Sequence, residues 1–387
     1  MEEWTRCNIG DVCKTISDTY RGDADEVVLV NTSDVLEGKC LNHQKSPNKD
    51  LKGQFKKTFQ KDDILYSEIR PANKRFAYID FDGTDYIAST KLMVIRHNEN
   101  IIPQFLYYII TSQTVIEELQ MLAESRSGTF PQITFSELAS LPIGLPPLLE
   151  QTKIVRLLKA LDNKIEVNRQ INDNLEQQGQ SLFEEYVMNS NKPRTKLLSD
   201  YALINPTRTI AKGRTARCID MSSLPTKGTF PIDWTFREYN GGMKFQNGDT
   251  IMARITPCLE NGKTAYINFL NEDEVAFGST EYIVLSAQED FSSELLYFLA
   301  RHDDFVSYAV AHMNGSSGRQ RVSGNDIANY VMPEITNETM NVVGEKLHGI
   351  MEIIKNNSLE SRRLAEIRDA LLPRLMSGKL NPEVTNK

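Results

Sequence analysis

The stretch that most constrains the fold is residues 150–186, which lack proline and contain one glycine, Gly179. Apolar residues recur there at 3.5-residue spacing, which predicts a coiled-coil helix, about 55 Å long at 1.5 Å per residue. Asparagines interrupt the apolar seam. Polar residues at such positions typically fix the register and the partner of a coiled-coil helix. A long helix that braces a single domain is the alternative. The two seam positions hold Ile154, Leu161, Asn168, Leu175 and Leu182, and Leu158, Ile165, Asn172 and Tyr186.

A second copy of this helix follows later in the chain. The period, about 189 residues, is far too long for a solenoid array. The pattern therefore predicts a tandem duplication of one unit, a globule followed by a long helix. Upstream segments match as well, with 59–71 over 245–257, 89–90 over 279–280 and 105–108 over 295–298. In the helix, Leu161, Ile165, Asn168, Leu175 and Leu182 fall on Ile350, Ile354, Asn357, Leu364 and Leu371.

Composition and charge narrow the class of protein. Signal-peptide features, membrane-spanning runs and C-x-x-C pairs are all missing from the sequence, so we expect a cytoplasmic protein without metal or membrane contact. The net charge of −8 argues against nucleic-acid binding by the chain as a whole. However, residues 39–75 hold about ten lysines and arginines against about four acids, a local footprint suited to phosphate. The corresponding stretch, 208–263, is also mildly basic. We expect partners to supply further positive charge on DNA.

Each globule has the same predicted elements. β-rich runs at 27–30, 64–66, 76–79 and 91–95 precede one helix at 104–122, whose aromatics we expect in the core. In the second globule the runs are 218–221, 250–254, 265–269 and 282–285, with a helix at 293–309. The second long helix runs from about 338 to at least 372. Pro373 is expected to kink or end it, and Gly378 is a C-cap if it continues.

These features define an α+β fold. We expect two tandem-repeated α/β domains separated by two long helices, which pair as an antiparallel coiled coil with pseudo-two-fold symmetry. The predicted boundaries are 1–146 for the first domain, 147–190 for the central helix, 191–334 for the second domain, and 335–387 for the C-terminal helix and tail.

Several motifs resemble those of the specificity (S) subunit of type I restriction-modification enzymes. They are ARITPCLENGK at 253–263, FGSTEY at 277–282, GSSGRQRV at 315–322, LLPRLMSGKL at 371–380 and PPLLEQ at 146–151. The resemblance covers essentially the whole chain, and its motifs are denser in the second half. It implies that each globule is a target recognition domain for one half of a bipartite, asymmetric DNA sequence.

The resemblance also implies partners and cofactors. The paired helices would separate the half-sites and dock two methyltransferase (M) subunits; whether restriction (R) subunits join is left open. S-adenosylmethionine, and ATP and magnesium for restriction, would be bound by those subunits and none by this chain.

Motifs of a DNA-modifying or DNA-cleaving enzyme are missing from the sequence. The nearest approach to an adenine-methyltransferase motif, 205–208, lacks the second proline and the aromatic residue, and there is no G-x-G-x-x-G or Walker loop. The acidic pair Asp62 and Asp63 superficially resembles a nuclease site, but only Asp249 matches it in the second copy, so we interpret it as a turn before a strand. The chain is therefore predicted to be non-catalytic.

Loop cations are the candidate DNA contacts, because arginine suits guanine and lysine suits phosphate. Such residues also brace loops, which is the alternative for each. The candidates are Arg70, Lys74 and Arg75 in the first globule, and Arg254, Lys263, Arg319 and Arg321 in the second. For the helix seam the candidates are Leu158, Ile165, Leu175, Ile350, Ile354 and Leu364.

Two rival functions stay open at this point. A non-catalytic coiled-coil adaptor would not require basic loops on β-rich globules in both repeats. A stand-alone DNA-binding protein is disfavoured by the acidic net charge, and salt-dependent binding by the isolated chain would test it.

Overall fold

The computed structural model describes residues 4–49, 53–125, 131–190, 192–316 and 318–380. The chain forms two compact units. Unit 1 contains the residues up to 163 together with those from 364 onward, and unit 2 contains residues 164–363. Among the described residues, no helix is both long and apolar enough to cross a membrane.

Unit 1 combines short strands with short helices. Its strands are β1 (Thr5–Asn8), β2 (Cys13–Ile16), β3 (Glu26–Val30), β4 (Val35–Leu36), β5 (Lys39–Cys40), β6 (Lys45–Pro47), β7 (Phe55–Lys57), β8 (Ile64–Ser67), β9 (Phe76–Tyr78), β10 (Tyr86–Ser89), β11 (Leu92–His97) and β12 (Pro142–Leu145). Its short helices are α1 (Ile9–Val12), α2 (Pro103–Ile110), α3 (Gln113–Glu124) and α4 (Phe135–Ala139). The long α5 (Leu148–Phe183) begins in unit 1 and ends in unit 2.

Unit 2 has a matching set of elements. Its strands are β13 (Arg194–Leu197), β14 (Ala202–Ile204), β15 (Thr215–Ile219), β16 (Thr235–Glu238), β17 (Lys244–Phe245), β18 (Thr250–Ala253), β19 (Thr264–Tyr266), β20 (Ala276–Gly278), β21 (Tyr282–Ala287) and β22 (Val331–Pro333). Its short helices are α6 (Ser293–Arg301), α7 (Asp303–Ala311) and α8 (Gly324–Ala328). The long α9 (Asn337–Met376) begins in unit 2 and ends in unit 1.

The main sheets of the two units have the same strand order. In unit 1 the order β2-β11-β8-β9 accompanies a second sheet, β6-β3-β10-β7, and the pair β1-β12. In unit 2 the corresponding orders are β14-β21-β18-β19, β16-β15-β20-β17 and β13-β22. Each second sheet contains one parallel pair, β10 with β3 and β15 with β20. The eight predicted strand segments all contain strands, with ends that differ by a few residues.

The strands β8, β11, β18 and β21 are apolar on both faces because each main sheet lies between two cores. In unit 1, Tyr66 and Met93 belong to one buried cluster, whereas their neighbours Leu65 and Val94 belong to another. In unit 2, Ile283 and Val284 are separated in the same way. Side chains alternate across a strand, so continuous apolar runs are what such a sheet requires.

The prediction of a single helix at 104–122 and another at 293–309 is wrong. In unit 1 the helix breaks between Ile110 and Gln113, where the Ser112 hydroxyl caps the new helix by accepting from the Val115 N–H at 3.4 Å. In unit 2 it breaks at His302, whose Nδ1 accepts from the Asp304 N–H at 3.2 Å. Both caps supply a partner for N–H groups that a new helix leaves unpaired. The apolar periodicity continues through both breaks, which hid them.

The long helices differ from expectation at their ends. α5 is followed by a π-helical turn, Glu184–Met188, in which Val187 is buried and Tyr186 is 41 % exposed, so Tyr186 leaves the predicted seam. A straight α-helix rotates by about 20° per heptad relative to an exact 3.5-residue repeat. Over several heptads the buried position therefore moves from Tyr186 to the next residue, Val187. α9 continues through Pro373 and ends at Met376, so the helix ends soon after the proline, which lacks the N–H for one intrahelical hydrogen bond. Gly378 has φ +70°, and its predicted role as C-cap is confirmed.

Within each unit, segments of α5 and α9 contact one another in opposite directions. In unit 1, Leu158 is buried in the cluster that contains Leu375, and Asp162 accepts from Arg368 Nη1 at 2.8 Å. In unit 2, Asn168 Nδ2 donates to Glu360 at 2.8 Å, and Asn172 Oδ1 accepts from Asn357 at 2.9 Å. Of the remaining seam candidates, Ile354 is buried, and Ile165, Leu175, Ile350 and Leu364 are half-buried.

Candidate nucleic-acid interface

The three candidate cations of unit 1 lie around a short 3₁₀ turn, Pro71–Asn73. Arg70 is exposed and has φ +46°, and its N–H donates to the Pro131 carbonyl at 3.1 Å. Lys74 has φ +51°, and its Nζ lies 3.7 Å from the Glu37 carboxylate. Positive φ is rare in residues other than glycine. The surrounding structure therefore over-determines this turn.

Arg75 and Lys263 occupy matching positions, and each braces a 3₁₀ turn, Thr32–Asp34 in unit 1 and Met221–Ser223 in unit 2. Their carbonyls accept from the residues that end the paired strands, Ser67 (2.8 Å) and Ala253 (2.9 Å). Arg75 Nη1 donates to the Ser33 carbonyl at 3.0 Å, and Lys263 Nζ donates to the Met221 carbonyl at 2.8 Å. The contacts occupy part of each cation's donor capacity, so any contact of these two with DNA stays a prediction.

A half-exposed charged cluster lies at one end of the main sheet of unit 2. Arg254 follows β18, Glu281 precedes β21, and Arg321 comes from the loop before α8. Glu281 Oε1 accepts from Arg321 Nη2 at 2.7 Å, and its Oε2 accepts from Nε at 2.9 Å and lies 3.9 Å from Arg254 Nε. The hydrogen bond from Arg321 holds the pKa of Glu281 below its ordinary 4.5. The pair is therefore ionised at neutral pH.

Arg319 lies beside this cluster. Its side chain is exposed, and its carbonyl accepts from Arg321 Nη1 at 3.0 Å. Ser317, within the motif 315–322, lies outside the described residues. The structure thus brings together Arg254, Arg319 and Arg321, whereas the Lys263 side chain binds the 3₁₀ turn Met221–Ser223.

Unit 1 carries a cluster at the equivalent place that sequence reasoning missed. Glu68 follows β8, Lys91 precedes β11, and Gln132 comes from the loop before α4. Lys91 Nζ lies 3.7 Å from Glu68 and donates to Gln132 Oε1 at 3.2 Å. The match of 89–90 with 279–280 already placed Lys91 over Glu281, so the repeat alignment contained the signal. Lys91 was not predicted because residues 91–95 were expected to form a strand, whereas the strand begins at Leu92. Glu68 and Gln132 were not predicted because only cations were considered as DNA contacts.

The acidic residues before β8 and β18 are structural. Asp63 is buried and accepts from Arg96 Nε and Nη2 at 2.7 Å each, and also from the Gln60 N–H at 2.8 Å. Asp249 is likewise buried and accepts from Arg208 Nη2 at 2.6 and 2.7 Å. The interpretation of Asp62 and Asp63 as a turn before a strand is confirmed. Among the described residues, no group of three or more His, Cys, Asp or Glu side chains is placed to hold a metal ion.

Comparison with known proteins relates this chain to one protein family. Residues 1–177 match the family model described as the type I restriction modification DNA specificity domain. The type I restriction enzyme HindI specificity subunit of Haemophilus influenzae is 28 % identical over 98 % of this chain and 100 % of its own length. Over its whole length the chain is similar to a type I restriction-modification specificity subunit.

Further relatives of this family span both units. The MjaIX specificity subunit of Methanocaldococcus jannaschii is 26 % identical over 77 % of this chain and 75 % of its own length. A crystal structure of a type I restriction-modification S subunit from M. genitalium covers 96 % of both chains at 16 % identity, with a TM-score of 0.53. It shows the specificity-subunit fold in this chain. The family model matches the half in which fewer motifs had been recognised.

Proposed function

We propose that this chain is the DNA-recognition subunit of a type I restriction-modification complex, in which each unit binds one half of a bipartite, asymmetric duplex target. The observation that carries this function is the pair of polar clusters at the same end of two equivalent sheets. The equivalent positions of the two clusters support a shared role in DNA binding. Their different side chains support recognition of different half-sites. Arg70, Lys74 and Arg319 are the exposed or half-exposed cations that we expect to meet phosphate or base edges.

The two units arise, in this proposal, from a tandem duplication whose long helices pair as an antiparallel coiled coil with pseudo-two-fold symmetry. The identical strand orders of the main sheets support the duplication. The opposed contacts of α5 and α9 segments within each unit support the antiparallel pairing. A fixed helix pair would set the number of unspecified base pairs between the half-sites.

The same helices are the proposed docking surface for two methyltransferase subunits and, in a complete system, for restriction subunits. Val167 and Ile171 on α5 are 47 % and 40 % exposed, and Ile353 on α9 is 48 % exposed. Large apolar side chains exposed together on helices favour a protein partner. We propose that catalysis, with S-adenosylmethionine, ATP and magnesium, belongs to those partners and that this chain is non-catalytic.

Methylation mapping tests this function. The chain is co-expressed with its cognate methyltransferase subunit, and modified adenines are located across the host genome. We expect methylation at one split, asymmetric sequence, and its loss when Arg319→Gln and Arg321→Gln are combined. Lys227→Gln removes an exposed charge elsewhere in unit 2 and should leave the pattern intact. If the two proteins co-purify but no sequence is methylated, recognition is wrong and a coiled-coil adaptor replaces it.

A further inference from the structure

We infer that the two matched clusters, Glu68–Lys91–Gln132 in unit 1 and Arg254–Glu281–Arg321 in unit 2, are base-discriminating sites, and that Glu281 is the residue that positions Arg321. The inference rests on the proposed function and deepens it, because it assigns to each unit the side chains that distinguish one base from another. Unit 2 is predicted to read a guanine and unit 1 an adenine.

The clusters occupy one backbone frame, as the hydrogen bonds show. The Glu68 N–H donates to the Lys91 carbonyl at 3.0 Å, and the Arg254 N–H donates to the Glu281 carbonyl at 3.0 Å. In unit 1 a β-bridge joins Gln132 to Ile69, the residue after Glu68. In unit 2 a β-bridge joins Arg321 to Ile255, the residue after Arg254.

The loops continue the same pattern after the bridge. The Ile133 N–H donates to the Glu68 carbonyl at 2.8 Å, and the Val322 N–H donates to the Arg254 carbonyl at 3.0 Å. The side chains at the three positions therefore differ between the units, whereas the backbone hydrogen bonds that hold them are the same. The first two positions exchange charge, from acid and base in unit 1 to base and acid in unit 2.

Arg321 is held with two donors to spare. A guanidinium has five N–H groups, one on Nε and two on each terminal nitrogen. Nε and Nη2 each donate to Glu281, and Nη1 donates to the Arg319 carbonyl at 3.0 Å. Among the described residues no other group accepts from the Arg321 guanidinium, which leaves one N–H on each terminal nitrogen. Two such donors match the O6 and N7 acceptors of guanine in the major groove, and the carboxylate limits the rotation of the fork.

Gln132 is arranged for a different base. Its Oε1 accepts from Lys91 Nζ at 3.2 Å, and an amide oxygen has a second lone pair for another donor. The amide therefore offers one acceptor site and an NH₂ group, the pair that reads N6 and N7 of adenine. Lys91 takes the place of Glu281, so the positioning residue here donates instead of accepting.

The test maps methylated sequences in cells that express the full complex with a variant of this chain. Arg321→Lys keeps the charge and the partner of Glu281 but loses the planar fork. We expect it to relax one guanine position in one half-site, with discrimination falling roughly 5- to 150-fold, the range that one bidentate base contact provides. Gln132→Glu should relax one adenine position in the other half-site, and Lys227→Gln should change neither.

Glu281→Gln separates positioning from a merely structural role. A positioning role predicts a relaxed base at the position that Arg321 reads, with the other half-site unchanged and with the complex still assembled. A structural role predicts lower methylation at all target sites alike, with the sequence unaltered, and this result would overturn the inference. So would an Arg321→Lys complex that methylates the wild-type sequence with wild-type selectivity. Absence of any split sequence in the wild type would instead refute the proposed function on which the inference depends.

Discussion

At the scale of single residues, the two units neutralise the same buried carboxylate from different places. Asp63 and Asp249 directly precede strands whose first residues pair with Ile95 and Leu285. Arg96 is the next residue in unit 1 and binds Asp63 itself. Its counterpart in unit 2 is Ser286, and Arg208 reaches in from the loop after β14, donating to Ser286 Oγ at 3.1 Å. The carboxylate is thus a requirement of the fold, whereas the origin of its cation is free to change.

This substitution pattern predicts a rescue. Arg208→Met should leave Asp249 charged and buried, which costs about 3–5 kcal/mol in the free energy of unfolding. Adding Ser286→Arg places a guanidinium where unit 1 has one and should recover most of that loss. Urea unfolding of unit 2 can be followed by Trp234 fluorescence in a Trp4→Phe background, since the chain has two tryptophans, one in each unit. No recovery in the double variant would show that the two positions are not equivalent.

Glu281 gives a pH-dependent prediction at the same scale. Its pKa is lowered in the folded state, chiefly by the hydrogen bond from Arg321. A lowered pKa contributes stability above the ordinary carboxyl value of 4.5, and that contribution is lost as the pH falls through the folded-state value. Glu281→Gln should therefore unfold at lower urea than the wild type at pH 7, and the difference should shrink as the pH is lowered below 4.5. A difference that is constant with pH would assign it to packing instead of charge.

At the scale of elements, two glycines of the long helices should respond oppositely to alanine. Gly349 in α9 has open space where a Cβ atom would lie, so Gly349→Ala should stabilise unit 2 by about 1 kcal/mol. Gly179 in α5 lies against the Phe298 ring, which an added Cβ would overlap. Gly179→Ala should destabilise unit 2 by roughly 1–3 kcal/mol. Trp234 fluorescence in urea reports both, and equal effects of one sign would contradict the close approach of α5 to Phe298.

The predictability of the elements follows from where their signals lie. Heptad spacing and apolar runs are local and periodic, so the long helices and the main-sheet strands were predictable. The helix breaks were not, because Ser112 and His302 interrupt no apolar face and act only through their caps. Exposure of Tyr186 was hidden by a strict heptad count that a straight helix does not follow. The clusters around Lys91 and Glu281 depend on strand register, which single-sequence periodicity does not contain.

At the scale of the whole molecule, the end of the chain completes the unit in which the chain begins. Residues from 364 onward belong to unit 1, and Leu375 is fully buried in its core cluster. Leu347 lies earlier on the same helix, α9, and is fully buried in a core cluster of unit 2. One helix therefore contributes to two cores.

Two substitutions on this helix should destabilise different units. Leu375→Ala leaves a cavity in unit 1, and Leu347→Ala leaves one in unit 2, each at about 2–5 kcal/mol. Trp4 packs against the unit 1 cluster, and Trp234 stacks on Phe269 in unit 2 with ring centroids 4.4 Å apart.

Fluorescence can therefore follow each unit separately. With Trp234→Phe the remaining fluorescence reports unit 1, and with Trp4→Phe it reports unit 2. Leu375→Ala should lower only the first unfolding midpoint and Leu347→Ala only the second. If either substitution lowers both midpoints equally, the two units unfold as a single cooperative block, and the chain must be treated as one domain in stability measurements.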